Sequence, residues 1–301
     1  MAAADRPLRP GAGPQSYQGV PGAYSEQASL TAYPDAELLP CPDFEAAFTA
    51  VAEMAADHAV MPVENSLGGS IHDNYDLLMQ YQLFIVGEVG VPVRHCLLAL
   101  PGTKLEDVER AMSHPQALFQ TTGYLGERGI QMEAVDDTAG AAQMIAEQGL
   151  ERCAAVASSR AGELYGLEVL DRDIQDNKDN VTRFVKLARE PAVVDPGVPC
   201  KTSVVFALEE GPGQLFKALS VFAMRDIDLT KIESRPLTGA GGPRGANLLP
   251  ESRGFAVLFY VDFEGSLATE NAQNALRHLQ EMTTFLRVLG SYERDLDRRE
   301  R

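Results

Sequence analysis

The stretch Glu190–Cys200 (EPAVVDPGVPC) constrains the fold of this chain most, because three of its eleven residues are proline. A proline lacks a backbone N–H and holds φ near about −65°, so it stops a helix and breaks a sheet ladder. The segment is therefore read as a linker, and the 301 residues as two folding units joined by it. The order of predicted elements agrees, because it changes at this point.

Upstream, short apolar or β-branched runs alternate with amphipathic stretches. Gln15–Val20 is predicted as a strand and Ser25–Tyr33 as a helix. Asp43 is placed to N-cap a helix whose Phe44, Ala47, Phe48, Val51 and Ala55 recur at helical spacing. His58–Glu64 follows as a strand and Ser70–Tyr81 as a helix. Thr103-Lys-Leu-Glu106 has the form of a capping box, which predicts a helix carrying Leu105, Val108 and Met112. Ile130–Val135, a helix from Asp137 to near Gly149, and the strand Cys153–Ser159 continue the alternation of an α/β unit with a mostly parallel sheet.

Downstream, Lys201–Glu210 is a predicted strand, and Pro212 opens a helix with Leu215, Phe216, Leu219 and Phe222 on one face. Strands follow at Leu229–Leu237 and Phe255–Gly265. A helix over Ala268–Thr284 keeps Ala275, Leu276, Leu279 and Met282 in register, and Phe285–Tyr292 closes the unit. This is the β-α-β-β-α-β order of a ferredoxin-like fold. Thr238–Gly254, rich in Gly, Pro and Asn, reads as a long irregular insert between its second and third strands.

Twenty-six Lys and Arg against 43 Asp and Glu give a formal net charge of −17. Nucleic acid or an anionic membrane would be repelled over most of such a surface, so neither is expected as a partner. Cys41, Cys96, Cys153 and Cys200 lie dozens of residues apart with no CxxC pair, which argues against a disulfide framework or zinc site and fits a reducing compartment. The apolar stretch Leu83–Leu100 is broken by Glu88, Pro92, Arg94 and His95, too often for a membrane span. The start carries no apolar secretory core and is too short to read as an organelle transit peptide. The five histidines are scattered, and no GxGxxG, P-loop, HExxH or GxSxG motif is present. No metal or cofactor is expected.

What remains are polar segments at predicted strand ends, where α/β units bind ligands. Tyr17–Ser25 turns into a helix, and its glycines let the backbone approach a ligand near free N–H groups. A tight βα turn explains it equally well. Pro62–Ser70 (PVENSLGGS) is a strand ending in polar residues, or merely a cap. Ser113-His-Pro-Gln116 with Gln120 one turn on, and Asn180-Val-Thr-Arg-Phe184 leading into the last strand of the first unit, are each weak alone.

Together and in this order, Pro62–Gly69, Ser113–Gln116, Asp137–Ala141, Asn180–Phe184 and Glu233–Pro236 resemble the prephenate dehydratase family with its C-terminal ACT domain. The similarity runs from about Ser16 to Tyr292, and Lys217–Pro236 and Leu258–Tyr292 are most like its plant and algal branch, mainly arogenate dehydratases of plastids. The resemblance implies a two-lobed α/β catalytic domain over 16–190, like type II periplasmic binding proteins. Lobe 1 would be about 16–93 plus 182–190 and lobe 2 about 94–181, with a linker at 191–200, an ACT domain over 201–293, and tails at 1–15 and 294–301. It implies dehydration and decarboxylation of arogenate to phenylalanine, feedback control by phenylalanine, and a homodimer or homotetramer. The location implied is the plastid stroma, with the transit peptide absent from this chain, or otherwise the cytoplasm. Prephenate as the main substrate, and a non-catalytic two-lobed binding or regulatory subunit, stay open as alternatives.

Residue by residue, the resemblance makes Thr182 the key catalytic group, with Asn65, Ser113 and Gln120 as polar partners. Arg183 either pairs a substrate carboxylate or forms a structural ion pair, and Glu64 either holds the amino group of arogenate or is structural. Gly22, Ala23, Tyr24, Ser25, Ser66, Asp137, Thr138, Ala157 and Phe184 are expected around the substrate. Gly213, Gln214, Leu215, Asp228, Leu229, Glu233, Ser234 and Arg235 are expected around the effector. Gln214 departs from the small or aliphatic residue many relatives carry there.

Overall fold

The computed structural model of the chain describes residues 13–195, 197–236 and 257–295. The first lobe holds β1 (Gln15–Gln18), α1 (Tyr24–Ala32), β2 (Leu38–Cys41), α2 (Phe44–Ala52), β3 (His58–Asn65), β4 (Gly69–Ser70), α3 (His72–Gln80) and β5 (Phe84–Pro92). The chain then builds a second lobe from β6 (Cys96–Ala99), β7 (Arg110–Ser113), α4 (Pro115–Phe119), α5 (Thr122–Glu127), β8 (Gln131–Ala134), α6 (Thr138–Gln148), β9 (Cys153–Ala157), α7 (Ser159–Tyr165) and β10 (Glu168–Asp171). It returns to the first lobe as β11 (Val181–Ala188). The sheets run β2-β1-β3-β11-β5, with β4 beside β3, and β10-β6-β9-β7-β8.

The two-lobed α/β arrangement is as expected, but each sheet is mixed rather than mostly parallel. β1 runs parallel to β2 and β3, and β7 to β8 and β9, whereas β11 lies antiparallel between β3 and β5. Connectivity explains this: the strand returning from the other lobe runs against its neighbours. It also sets Thr182 opposite Asn65.

Local chemistry fixes the helix ends. Asp43 accepts from Ala46 N–H and Asp137 from Gly140 N–H, and each thereby satisfies an otherwise unpaired donor of the first turn. Gly149, at φ +60°, ends α6 in the left-handed conformation that costs glycine nothing. Thr103–Glu106 opens no α-helix; a single 3-10 turn at Leu105–Asp107 leads into β7. β7 lies inside its sheet with Ala111, Met112 and Ser113 all buried, so its apolar residues lose the two-residue alternation and imitate a helical pattern. Gly69 and Ser70 are taken by β4, which pairs with Glu64 and Asn65 and delays α3 to His72.

Beyond the proline-rich segment come β12 (Cys200–Leu208), α8 (Gln214–Ala223), β13 (Leu229–Pro236), β14 (Val257–Glu264), α9 (Glu270–Met282) and β15 (Thr283–Glu293), in an antiparallel sheet of order β13-β14-β12-β15. This is the ferredoxin-like order. Gly213, at φ +76°, N-caps α8 and leaves Pro212 outside the helix. The buried face of α8 is Ala218, Val221 and Phe222, while Phe216 points to solvent. The expected insert at 238–254 lies outside the described residues.

One face of this sheet packs Val204, Phe206 and Phe263 against α8 and α9. The other face places Val205, Tyr260 and Tyr292 in one core with Met61, Tyr75 and Leu78 of the first lobe. Arg287 reinforces the contact by donating to the carbonyls of Leu78, Tyr81 and Leu83 at 3.0–3.1 Å. The linker therefore joins two units that share a core.

Candidate active site

A cleft of about 430 Å³, counting its open mouth, lies between the lobes. Its walls come largely from helix starts: Tyr24 opens α1, Ile71 caps α3, His114 to Ala117 cap and begin α4, and Thr138 opens α6. Helix N-termini carry partial positive charge and unpaired N–H groups, so this wall suits an anion although the protein is acidic overall. Neither a carboxylate nor a Lys or Arg is among the lining residues. Among the described residues no cluster of three or more His, Cys, Asp or Glu is placed to hold a metal ion. Gly68 passes so near the Gln116 amide across the cleft that a Cβ there would collide with it.

The floor is a chain of amides whose orientation follows from backbone groups. Leu67 N–H and Gly68 N–H donate to Asn65 Oδ1 at 3.0 and 2.8 Å. Asn65 must therefore direct Nδ2 at Asn180 Oδ1, 2.7 Å away, and at Thr182 Oγ1, 3.0 Å away. Asn180 Nδ2 in turn donates to Gln120 Oε1 at 2.9 Å, and His95 Nε2 lies 3.0 Å from the same oxygen. The other His95 nitrogen, Nδ1, is 3.1 Å from the Tyr24 hydroxyl, whose single proton can go either to it or to the Arg94 carbonyl at 2.8 Å. Burial lowers the pKa of His95, only partly offset by the bond to Gln120, so the ring is neutral at physiological pH. Burial likewise holds the Tyr24 hydroxyl protonated.

Of the residues singled out in the sequence, Thr182, Asn65, Gln120, Tyr24 and Thr138 line the cleft. Ser113 does not: its buried hydroxyl donates to the Val156 carbonyl at 2.6 Å and fastens β7 to β9. Arg183 and Glu64 face the ferredoxin-like unit. Arg183 donates to Glu88 at 2.7 Å, Asp262 at 2.6 Å and Tyr292 at 2.9 Å, and Glu64 meets Lys231 at 3.1 Å. The ion-pair reading of Arg183 and the structural reading of Glu64 are thus the ones the geometry supports. Alternation along β11 is the cause, since Thr182 and Arg183 point to opposite faces of the sheet.

The other substrate candidates are not among the residues that line the cleft. Gly22 (φ +93°) takes the Ser158 hydroxyl on its carbonyl at 2.7 Å and gives its N–H to Glu26. Ala23 and Ala157 are buried in the core of the second lobe, and Phe184 in a cluster with Ala28 and Val60. Ser25 is buried in α1. Ser66 bridges Asp179 and Val181, both at 3.0 Å, and Asp137 caps α6. The cleft also includes Val93, His95 and Gln116, and its floor includes Asn180. Gln116 and Asn180 stand inside motifs, but His95 gives no local signal beyond its place at a strand end.

In the ferredoxin-like unit, Gly213, Gln214 and Leu215 begin α8, and Asp228 leads into β13 at Leu229. Along β13, Glu233 bonds Ser70 and His72 and Arg235 pairs with Asp76, all within this chain, while Ser234 faces outward. Phe216 and Ile232, 78% and 48% exposed, leave apolar surface on the same unit.

The prephenate dehydratase family model matches residues 16–192. Over 280 residues the chain is 58% identical to arogenate dehydratase/prephenate dehydratase 2, chloroplastic, of Arabidopsis thaliana, covering 93% of this chain and 72% of that one. Among solved structures it is similar to GqqA, described as a novel type of quorum quenching acylase (TM-score 0.82, 36% identity, 96% of this chain and 100% of that one). It is also similar to the prephenate dehydratase of Arthrobacter aurescens in complex with L-Phe (TM-score 0.82, 31% identity, 93% and 90% covered).

Proposed function

The chain belongs to the prephenate dehydratase family, and from that premise we propose that it converts arogenate to phenylalanine in the cleft, with prephenate as the weaker substrate. The substrate is a cyclohexadienol with a ring carboxylate para to its hydroxyl. The bond to the carboxylate breaks and CO2 leaves, its electron pair enters the ring, and the C–O bond breaks. The departing hydroxide takes up one proton as water, and the driving force is aromaticity.

One observation carries the reading. Asn65 donates to Thr182 Oγ1, and the Thr182 proton has no acceptor among the described residues. Thr182 is thereby set as a donor towards a leaving oxygen. Its partner is an amide and no base, so the arrangement favours leaving-group assistance over nucleophilic attack. The uncharged wall fits the other half of the reaction. A Lys or Arg on the ring carboxylate would bind its full charge best in the ground state, whereas that charge disperses as CO2 forms. Helix termini and amides can orient an anion with less such penalty.

The ferredoxin-like unit is proposed as an ACT domain that binds phenylalanine between subunits of a homodimer or homotetramer. Support comes from the L-Phe in the Arthrobacter relative and from exposed Phe216 and Ile232 near Gly213–Leu215 and Ser234. The chloroplastic name of the Arabidopsis relative supports a plastid location. Side-by-side rates on arogenate and prephenate, for wild type and Thr182→Val, test the reading. The near-isosteric variant should lose roughly 10²–10⁴-fold in kcat with little change in KM. A variant that keeps most of its kcat removes Thr182 from the chemistry, and a wild type inert on both substrates sinks the function.

A further inference from the structure

His95 is a buried imidazole at the crossover between the lobes, and nothing above gives it a role. Its ring touches both sides of the cleft, through Tyr24 of α1 and Gln120 at the end of α4. Its backbone N–H is held by Gln175 Oε1 at 2.9 Å and its carbonyl by Ile174 N–H at 3.0 Å, so the ring is fixed in place.

The protons of this network follow from the backbone. The N–H groups of Leu67 and Gly68 can only donate, which orients Asn65, then Asn180, and so puts Gln120 Oε1 at the end of the chain. That oxygen accepts from Asn180, so the His95 nitrogen facing it must be the protonated Nε2. The opposite end of the same amide, Gln120 Nε2, has no hydrogen-bond partner among the described residues and is not closed off from solvent. Since Gln120 lines the cleft, two N–H donors are left for a substrate oxygen. If His95 carried its proton on Nδ1, its lone pair would face Gln120 Oε1. Turning the amide to relieve this would present an acceptor to an anionic substrate and take the acceptor from Asn180.

Resting on the dehydratase reading, we propose that His95 is a positioning residue for the reaction: its Nε2–H, with the Tyr24 proton turned to Nδ1 in place of the Arg94 carbonyl, locks Gln120 so that the amide nitrogen points at an oxygen of the bound substrate. His95 touches the chemistry only through Gln120. Its contribution should therefore vanish when Gln120 is gone.

The test uses the full chain with arogenate. Asparagine places its amide near the reach of Nδ1 and cannot meet Gln120, whereas glutamine places an N–H near the reach of Nε2. His95→Asn should lose roughly 10–100-fold in kcat/KM, the scale of one hydrogen bond to a charged group. His95→Gln should recover most of this, and adding His95→Asn to Gln120→Ala should cost little more than Gln120→Ala alone. His95→Asn within twofold of wild type, no difference between Asn and Gln, or fully additive losses would each overturn the proposal. If wild type turns over neither substrate, the functional reading fails instead. The tautomer is then still decided by nitrogen NMR of labelled imidazole, where a neutral ring protonated on Nδ1 refutes the arrangement.

Discussion

Replacing Arg183 by alanine distinguishes the ion-pair reading from the substrate reading. The guanidinium, 18% exposed, spans Glu88 and Asp262, whose side chains are 4% and 9% exposed. Burial alone would lower its pKa, but Asp262, Tyr292 and Glu88 more than reverse this and hold the charge firmly on. Removing one partner of a buried pair costs ~3–5 kcal/mol, mostly from the charge left behind. Lys201 Nζ, 2.9 Å from both Glu88 oxygens, still neutralises Glu88, so only Asp262 is stranded. The low end, about 3 kcal/mol, is the expected loss. At ~2–4 °C per kcal/mol, Tm should fall by roughly 6–12 °C. Arg183→Ala paired with Asp262→Asn should recover part of that fall, because the stranded carboxylate is gone. Thermal melts and initial rates measured well below Tm give both quantities. KM for arogenate should change less than about threefold, because the side chain faces away from the cleft. An unchanged Tm with a KM raised tenfold or more would refute the reasoning and return Arg183 to the substrate.

Truncation after Ala192 should not yield a stable catalytic fragment, because it strips Tyr260, Tyr292 and Val205 from the core of the first lobe; a fragment melting like the full chain would contradict the shared core. Phe216→Asp should shift the protein towards monomer in light scattering and weaken phenylalanine binding in calorimetry; a variant unchanged in both would exclude this surface from the proposed interface. His95 and His58 are both held neutral mainly by burial, so their folded pKa values lie below the unfolded value of about 6.5. The unfolded chain then binds more protons, and stability present above about pH 6.5 should drain away as pH falls through the folded values. Urea midpoints at pH 7.5 and 5.5 should show this, with a smaller difference for His95→Gln; an identical difference would mean His95 is not the titrating group.

The motif Asn180–Phe184 is legible as a motif, but its division of labour follows from strand geometry. Once those residues are a strand, neighbours face opposite ways, so Thr182 and Arg183 cannot both meet one substrate. Which faces the cleft depends on the register with Asn65 and Glu64, set by pairing across more than a hundred residues. His95 is illegible for a similar reason: its partners Tyr24 and Gln120 stand 71 and 25 positions away, and no period connects them.

The shared core had a signal in the sequence, and the linker obscured it. Val204-Val205-Phe206-Ala207 is apolar at every position, whereas a sheet covered on one face only would alternate apolar with polar residues. Two covered faces require two layers, and the helices of this unit supply one. Val204 and Phe206 meet α8 and α9, so Val205 and Ala207 needed a partner from outside the unit and find it in the first lobe. A proline-rich connection therefore marks where the chain changes course without making the two units independent. With Arg183 bound to β14 on one side of β11 and Thr182 facing the cleft on the other, β11 is the strand through which the ferredoxin-like sheet touches the hydroxyl proposed to act on the substrate.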